Sequence, residues 1–494
     1  MMTQSWLFRV FTSRHRWLSV LATWLLCAGA AVIIGYLLAE FGVVVAAAGL
    51  AGLLAGLWVL GGIERAYLAV IGVVCLLPFA SFPIDIGFTP TLLDAALGAL
   101  FFIWIVRVAT GKQREFIGTP LALPVTVFIL LAIGAFVFGL AHAPLTSYLV
   151  RHFAEVMLSI AMFFLVVNTV RDIERLERIV RMLIVCTFVT AVVGIALYVI
   201  ADQVSRDLAI RALSALGRLK YPTGPGVLRY IMEDPERPLR ATSTSVDPNV
   251  LGSLLNIVVA IAVPQLFARH PIFRRRYLLP MLGATALCLG LTLSRGALVS
   301  MSVALVIIAT LRYRRLWLML SGGAVLILLL PQTQSYVAHL ITGFRVGDLA
   351  TQMRFGEYKD ALILIGRYPW FGVGFGASPD IDTYIGVSNV YLLIAEQMGL
   401  IGLGSFLSVI LVFLISFWRN RSRAAMSPRL EPLWWGLHAG IMGALVGGLV
   451  DHYFFNLDFH HSVTLFWLVI ALATTATTLI GRRECDDARQ PAGR

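Results

Sequence analysis

The feature that most constrains the fold is a series of apolar runs that recurs from one end of the chain to the other. An α-helix needs about 20 mostly apolar residues to cross the hydrocarbon core of a bilayer. Hydrophobic residues make up 59% of the 494 positions and charged residues only 13%, so most of the apolar surface must face lipid. Candidate spans lie at 17–38, 43–60, 67–80, 91–108, 121–140, 153–170, 179–200, 250–267, 278–293, 297–311, 316–331, 390–418, 434–450 and 462–480.

Fourteen spans are therefore predicted, and because the third, ninth, tenth and eleventh are short, twelve remain an alternative. The predicted fold is an all-α polytopic membrane bundle with two long external loops. Its expected organisation is helices one to seven in 1–200, an external loop with an interfacial helix in 201–247, helices eight to eleven in 248–331, a large external loop in 332–387, and helices twelve to fourteen with a short cytoplasmic tail in 388–494.

Positive charge predicts the orientation. With the N-terminus in the cytoplasm, alternation of the loops puts most of the 39 Lys and Arg residues on the inner side, as short retained loops require. We therefore expect a multi-pass protein of the cell inner (cytoplasmic) membrane with both termini in the cytoplasm. The net charge of +12 then reflects topology and contact with membrane lipids, and nucleic acid is not expected as a partner.

The first external segment contains a helical pattern and a polar string. Val204, Leu208 and Ala212 recur at helical spacing, which predicts a helix lying in the membrane interface, and the Pro- and Gly-rich stretch 221–238 should be irregular. The string 240–249 then enters the eighth span. Asp247 is a candidate helix cap, and Arg240 beside a helix N-terminus suits a diphosphate group.

Two further arginines stand out on the external side. Ser294 and Arg295 occupy a tight turn between two apolar helices, where a charge is costly unless it has a role. Arg354 and Glu357 share a helical face, and an ion pair between them is the simplest interpretation. The glycines of the following stretch, 369–376, are expected to let an external loop pack closely on the bundle.

The last external loop, 451–461, gathers three His and two Asp residues. Their spacing matches no standard ligand motif, so no metal is expected there and no cofactor elsewhere. A place near an acceptor sugar is the favoured interpretation. Arg151, His152 and His339 are other external residues that could extend the same site. Contact with lipid headgroups would explain them equally well.

Several of these pieces together resemble the O-antigen ligase and polymerase family of bacterial surface-polysaccharide assembly. The similar segments are 240–249, 294–296, Arg354 with 369–376, and 388–402. The resemblance implies a polyprenyl-diphosphate-linked oligosaccharide as donor and arginines that hold its diphosphate. Arg240, Arg295 and Arg354 take that role here. The substrate-binding residues expected from the same segments are Asp247, Asn249, Ser294, Glu357, Ser388, Asn389 and Tyr391.

One position departs from the family. Ligases begin the last segment with His followed by Asn, whereas this chain has Ser388 before Asn389. Serine is a poor base at neutral pH. Glu396 is therefore proposed as a catalytic residue, with Glu357, Asp247 and the Asp451–His452 pair as other substitutes for the base.

Serine in place of the ligase histidine favours a polymerase of O-antigen or exopolysaccharide that transfers glycan to a sugar hydroxyl. A ligase acting on another acceptor, such as lipid A core, is the first alternative. A membrane transporter of an anion or of a lipid-linked glycan is the second. An inactive member that serves with other polysaccharide assembly proteins is the third.

Overall fold

The structure is a computed structural model that describes residues 49–82, 87–329, 349–376 and 386–489, with a few single positions outside these ranges. The chain divides into two compact units, Met1–Arg65 and Ala66–Arg494. In the first unit, helix α1 spans Gly49–Leu60 and exposes apolar side chains such as Leu53 and Leu57. Most of the run 17–38, and His339, lie outside the described residues.

The described fold is almost entirely helical, as predicted. After α1 the helices are α2 Ile63–Leu76, α3 Leu92–Ala109, α4 Ala122–Gly139, α5 Ser147–Thr169, α6 Ile173–Val199, α7 Arg206–Ser214, α8 Pro248–Ala262, α9 Arg275–Leu291, α10 Arg295–Leu311, α11 Leu316–Leu329, α12 Leu349–Arg367, α13 Val390–Ala425, α14 Glu431–Gly447 and α15 His460–Arg489. A two-residue antiparallel ribbon pairs β1 (Arg229–Tyr230) with β2 (Leu239–Arg240).

Within the described ranges, seven helices are long and apolar enough to cross a membrane: α3, α4, α5, α6, α8, α13 and α15. The spans of α6, α8 and α15 include a short helical turn at one end. Helices α9, α10 and α14 have 17 residues each, at the lower end of the length that spans a bilayer. The polytopic membrane bundle is thus confirmed, and the count of fourteen spans stays a prediction.

Burial separates the centre of the second unit from its periphery. The spans Pro248–Leu266 and Leu457–Arg482 are each 89% buried, whereas Leu92–Ala109 is only 22% buried. A helix that is apolar all round and buried forms the core, and one that is apolar and exposed faces lipid. Helices α8 and α15 therefore form the core of the bundle, and α3 presents most of its surface to the membrane.

Small residues bring α14 close to two neighbours. A Cβ added at Gly436 would lie 2.7 Å from the backbone of Ile261 on α8, and one at Gly443 would lie 2.4 Å from the Ser300 carbonyl on α10. In a membrane, where lipid is as apolar as leucine, close backbone approach is a main source of helix association. These glycines fix the position of the α14 end that precedes Asp451.

A helix, α7, occurs in the segment where an interfacial helix is predicted, and a 3-10 turn, Ala215–Leu219, follows it; its place in the membrane interface stays a prediction. Its buried residues are Ala209 and Leu213, which pack against the β1–β2 ribbon in one apolar cluster. Leu208, expected on the same apolar face as Ala212, is exposed. The sequence pattern thus identified the helix, and its exposed apolar residues are the ones available to lipid.

Helix α13 is broken at Gly399, and the break receives the glycine-rich loop 369–376. Gly399 has a φ of 68° and a ψ of −176°, a combination that is essentially restricted to glycine. The broken turn leaves the carbonyls of Glu396 and Gln397 open. They accept hydrogen bonds from Val373 N (2.9 Å) and Gly374 N (3.0 Å), which meets the requirement that buried backbone groups be paired. The close packing predicted for this loop is what the structure shows.

Replacing Gly399 by Ala should lower the melting temperature of the detergent-solubilised protein. The new Cβ would lie 2.1 Å from the Trp370 carbonyl, and this backbone conformation itself costs about 1–3 kcal/mol for a residue other than glycine. Gly404→Ala is the matched control, because Gly404 lies on the same helix with open space around its Cβ position. Equal melting temperatures for the two variants would contradict the assigned break.

Candidate functional site

Arg240 lies where β2 ends and the chain turns toward α8. Its Nε donates to the Thr292 carbonyl at 2.9 Å, and its Nη2 donates to Asn249 Oδ1 at 2.6 Å. Asp247 caps α8, because its Oδ1 accepts from the backbone N–H groups of Asn249 and Val250. The predicted cap is thus confirmed, and Arg240 is held between the start of α8 and the end of α9.

The turn between α9 and α10 brings the second arginine to the same end of the bundle. Ser294 caps α10 by accepting from Ala297 N at 3.4 Å, and Arg295 is the first helical residue. The next residue is Gly296, and a Cβ at this position would lie 2.4 Å from Asp451 Oδ2. The carboxyl group of Asp451 therefore sits against the N-terminal turn of α10, where helix dipoles favour negative charge.

The third arginine approaches the same carboxylate from α12. Arg354 Nη2 lies 3.3 Å from Asp451 Oδ1, and the two side chains are 30% and 14% exposed. The expected partner was Glu357, three residues along the same helix. The ion pair that forms is instead a long-range one, which joins α12 to the loop after α14.

A set of hydrogen bonds holds this loop in place. Glu357 Oε2 accepts from Ser388 N at 2.9 Å. Tyr358 Oη lies 3.0 Å from the Ser388 carbonyl and 3.1 Å from the Leu449 carbonyl, which share its single hydroxyl proton. Asn389 caps α13 through its Oδ1 and donates from Nδ2 to the Leu449 carbonyl at 2.9 Å. Ser388 and Asn389 therefore support the backbone that leads to Asp451.

The two remaining predicted residues lie further along α13. Tyr391 Oη donates to the Leu445 carbonyl at 2.7 Å, which ties α13 to α14. Glu396 is buried at the broken turn, where its carbonyl receives Val373 N. These contacts associate Glu396 with the glycine-rich loop, while the cluster around Asp451 gathers Arg240, Arg354 and the start of α10.

Burial shapes the ionisation of the cluster. Desolvation raises the pKa of Asp451 to about 6, although Arg354 and Arg240 act in the opposite direction. Desolvation also lowers the pKa of Arg240, partly offset by Asp247. A carboxyl group with this pKa is ionised at neutral pH yet basic enough to accept a proton from a polar substrate.

Two neighbours of Asp451 complete the cluster. Burial lowers the pKa of His452 to about 4, so its ring is neutral at physiological pH. Tyr453 Oη donates to Asp247 Oδ1 at 3.4 Å, and burial raises its pKa well above the ordinary value. Tyr453 therefore stays protonated and links the loop after α14 to the start of α8.

Asp451 is the residue that the sequence patterns placed least well. In the sequence it is only one half of an Asp–His pair in an aromatic loop, whereas each of the three arginines stands out by its own position. Arg354 and Asp451 are 97 residues apart in the chain. The available signal was one acidic residue directly after a glycine-rich span, and only the packing of α10, α12 and α14 reveals its partners.

Comparison with known proteins assigns part of this site to a family. No curated protein matches the chain closely. Residues 280–407, however, match the family described as O-Antigen ligase, and this segment contains Arg295, Arg354, Ser388 and Asn389. Arg240, Asp247 and Asp451 lie outside it. Residues 280–407 are thus similar to the O-antigen ligase family, which confirms the resemblance inferred from the sequence for this segment.

Proposed function

We propose that this protein is a polymerase of bacterial surface polysaccharide, either O-antigen or exopolysaccharide. It transfers glycan from a polyprenyl-diphosphate donor to a sugar hydroxyl on the outer face of the inner membrane. The observation that carries the proposal is the placement of Asp451 against Arg354 and the start of α10, with Arg240 close enough to influence its pKa. Basic groups for a leaving diphosphate and a base for an acceptor hydroxyl thus share one cluster.

The arginines suit the leaving group. Breaking the bond between a sugar and a diphosphate requires stabilisation of the negative charge that develops on the phosphate oxygens. A guanidinium group carries five N–H donors in a planar fork that matches phosphate geometry. Arg240 lies at the end of β2 and Arg354 lies on α12. Arg295 lies at a helix N-terminus, which is itself favourable for phosphate. We assign the diphosphate to these three residues.

Asp451 suits the role of general base. Ser388 stands where ligases of the family have a histidine. Its backbone N–H donates to Glu357, and its carbonyl accepts from Tyr358. In the proposed reaction, the acceptor oxygen attacks the first carbon of the donor sugar and its proton passes to Asp451. The bond from that carbon to the diphosphate oxygen breaks at the same time, and polyprenyl diphosphate leaves. A single displacement inverts the configuration at the carbon.

A ligase is the second candidate, favoured by the family match itself. Its donor and leaving group are the same, and only the acceptor differs. Lipid A core or another acceptor would then replace the growing glycan. Because the cluster described here acts on the donor, it serves both reactions, and the product identifies which one occurs.

Arg295→Ala should reduce transfer by about 100-fold, because loss of one charged donor at a developing anion typically costs 100-fold or more. Purified protein in lipid is incubated with a polyprenyl-diphosphate oligosaccharide, and both released polyprenyl diphosphate and glycan length are followed. Arg237→Ala is the control, since Arg237 is exposed and pairs with Asp234 in the loop before β2.

The products separate the alternatives. Longer lipid-linked glycan that Arg295→Ala abolishes is the result expected of a polymerase. Transfer only to an added acceptor would make the protein a ligase. Absence of turnover with any donor would reject glycosyl transfer in favour of transport or a non-catalytic partner role.

The rate of transfer should rise with pH through about 6 and then level off, because Asp451 must lose its proton to act as a base and burial has raised its pKa to about 6. Asp451→Asn should lower the rate by about 100-fold or more and remove this rise. Asp458→Asn, in the same loop, is the control that should keep the wild-type profile. An Asp451→Asn enzyme with an unchanged pH profile would exclude Asp451 as the base.

A further inference from the structure

A second buried group of polar side chains lies at the start of α5 and α15, and the proposed transfer reaction makes no use of it. His152 and Glu155 are three residues apart on one face of α5, and His460 is the first residue of α15. His152, Glu155 and His460 are 7%, 2% and 3% exposed. Three groups of this kind, buried together in an apolar bundle, need a compensating partner.

The three side chains converge on one point. Glu155 Oε2 lies 3.2 Å from His152 Nδ1 and 3.2 Å from His460 Nδ1, and one ligand atom from each residue falls within 4.8 Å of the others. Ligands at 2.0–2.1 Å from a tetrahedral ion are separated by about 3.3 Å. The two contacts with the carboxylate therefore have the length expected of edges of a metal coordination sphere.

Ordinary hydrogen bonding accounts for only part of the cluster. Both Glu155 oxygens have ion-pair contacts at 3.2 Å, yet neither oxygen, and neither ring nitrogen of His460, makes a well-aligned hydrogen bond with any residue in the described part of the chain. Leaving buried polar atoms incompletely satisfied costs free energy, so these positions indicate a missing ligand. Two imidazoles and a carboxylate are the donor set that suits a divalent transition metal.

A second carboxylate lies beside the first. Asp94, in the first turn of α3, is in side-chain contact with Glu155, while its Oδ2 also accepts from Thr91 N in a capping box. Two carboxylates in contact, of which Glu155 is buried, must share either a proton or a cation. Arg151 neutralises part of this charge, because its Nε lies 3.2 Å from Glu155 Oε1.

Arg151 is also the group that opposes a metal ion here. Its Nη2 lies 2.8 Å from His152 Nε2 and its Nη1 donates to the Thr89 carbonyl. With a guanidinium N–H at Nε2, the ring proton of neutral His152 is on Nδ1, which also faces the Leu457 carbonyl at 3.1 Å. Coordination through Nδ1 therefore requires the ring to exchange its proton and the guanidinium to turn from Nε2 while it keeps its contact with Glu155.

We propose that His152, Glu155 and His460 bind one divalent transition-metal ion of the Zn²⁺ class, with Asp94 beside the site. The ion ties the starts of α5 and α15 together at the end of the bundle that holds Asp451. This site departs from the sequence-based expectation of no metal, which considered only the spacing within 451–461. His152, Glu155 and Asp94 are supplied by two other helices.

Metal content tests the proposal. Full-length protein, purified in detergent without chelator, is dialysed against Zn²⁺ at a low micromolar free concentration, and bound Zn, Fe and Mn are measured by mass spectrometry. One ion per chain is expected for the wild type, and at least a tenfold lower occupancy for Glu155→Gln and for His460→Gln. His461→Gln is the matched control, because His461 is the next residue and equally buried but lies outside the cluster.

Two further measurements guard against variants that fail to fold. Only variants that elute as the wild type in gel filtration are compared, and Co²⁺-loaded wild type should show the visible absorption of a low-symmetry site with nitrogen and oxygen ligands. Zn²⁺ should raise the melting temperature of the wild type and of His461→Gln but not that of Glu155→Gln. A wild type that binds no ion, or a Glu155→Gln variant that retains it, would overturn the assignment and leave a proton shared between Asp94 and Glu155.

Discussion

The pairing of Arg354 with Asp451 is the interaction on which the candidate site depends. A buried carboxylate is costly in a bundle that faces lipid, and it is tolerated only where positive charge or hydrogen-bond donors surround it. Asp451 meets this condition through Arg354 on one side and the N-terminal turn of α10 on the other. The arrangement needs Gly296 as well, because any side chain there would occupy the place of the carboxylate.

The supporting contacts explain why so many polar residues occur at this end of the bundle. Asp247, Ser294 and Asn389 each cap a helix that begins there. Tyr358 and Asn389 hold the Leu449 carbonyl, which fixes the chain two residues before Asp451. Several residues expected to contact substrate thus also cap helices or hold the backbone near Asp451. Both roles are compatible, since a capped helix start is a rigid place from which to bind phosphate.

Local features of the fold could be predicted from the sequence, and long-range ones could not. Apolar runs identified the helices because lipid imposes their length, and the cap at Asp247 was predictable because capping involves residues only two or three positions away. The partner of Arg354 was not predictable in this way. Glu357 fits the helical spacing, and Asp451 becomes the partner only because α14 packs closely on α8 and α10. For the same reason, the spacing within 451–461 could not show that His460 lies beside Glu155.

The break in α13 has a consequence for how such proteins can be recombined. The carbonyls released at Glu396 and Gln397 are paired by the N–H groups of Val373 and Gly374, and Leu400 N returns a hydrogen bond to the Pro369 carbonyl at 2.7 Å. The loop and the helix therefore complete each other's backbone pairing. A chimaera that exchanges 369–376 for a loop of different backbone conformation would leave these peptide groups unpaired inside the bundle, so the loop and the segment 396–400 should be grafted as one unit.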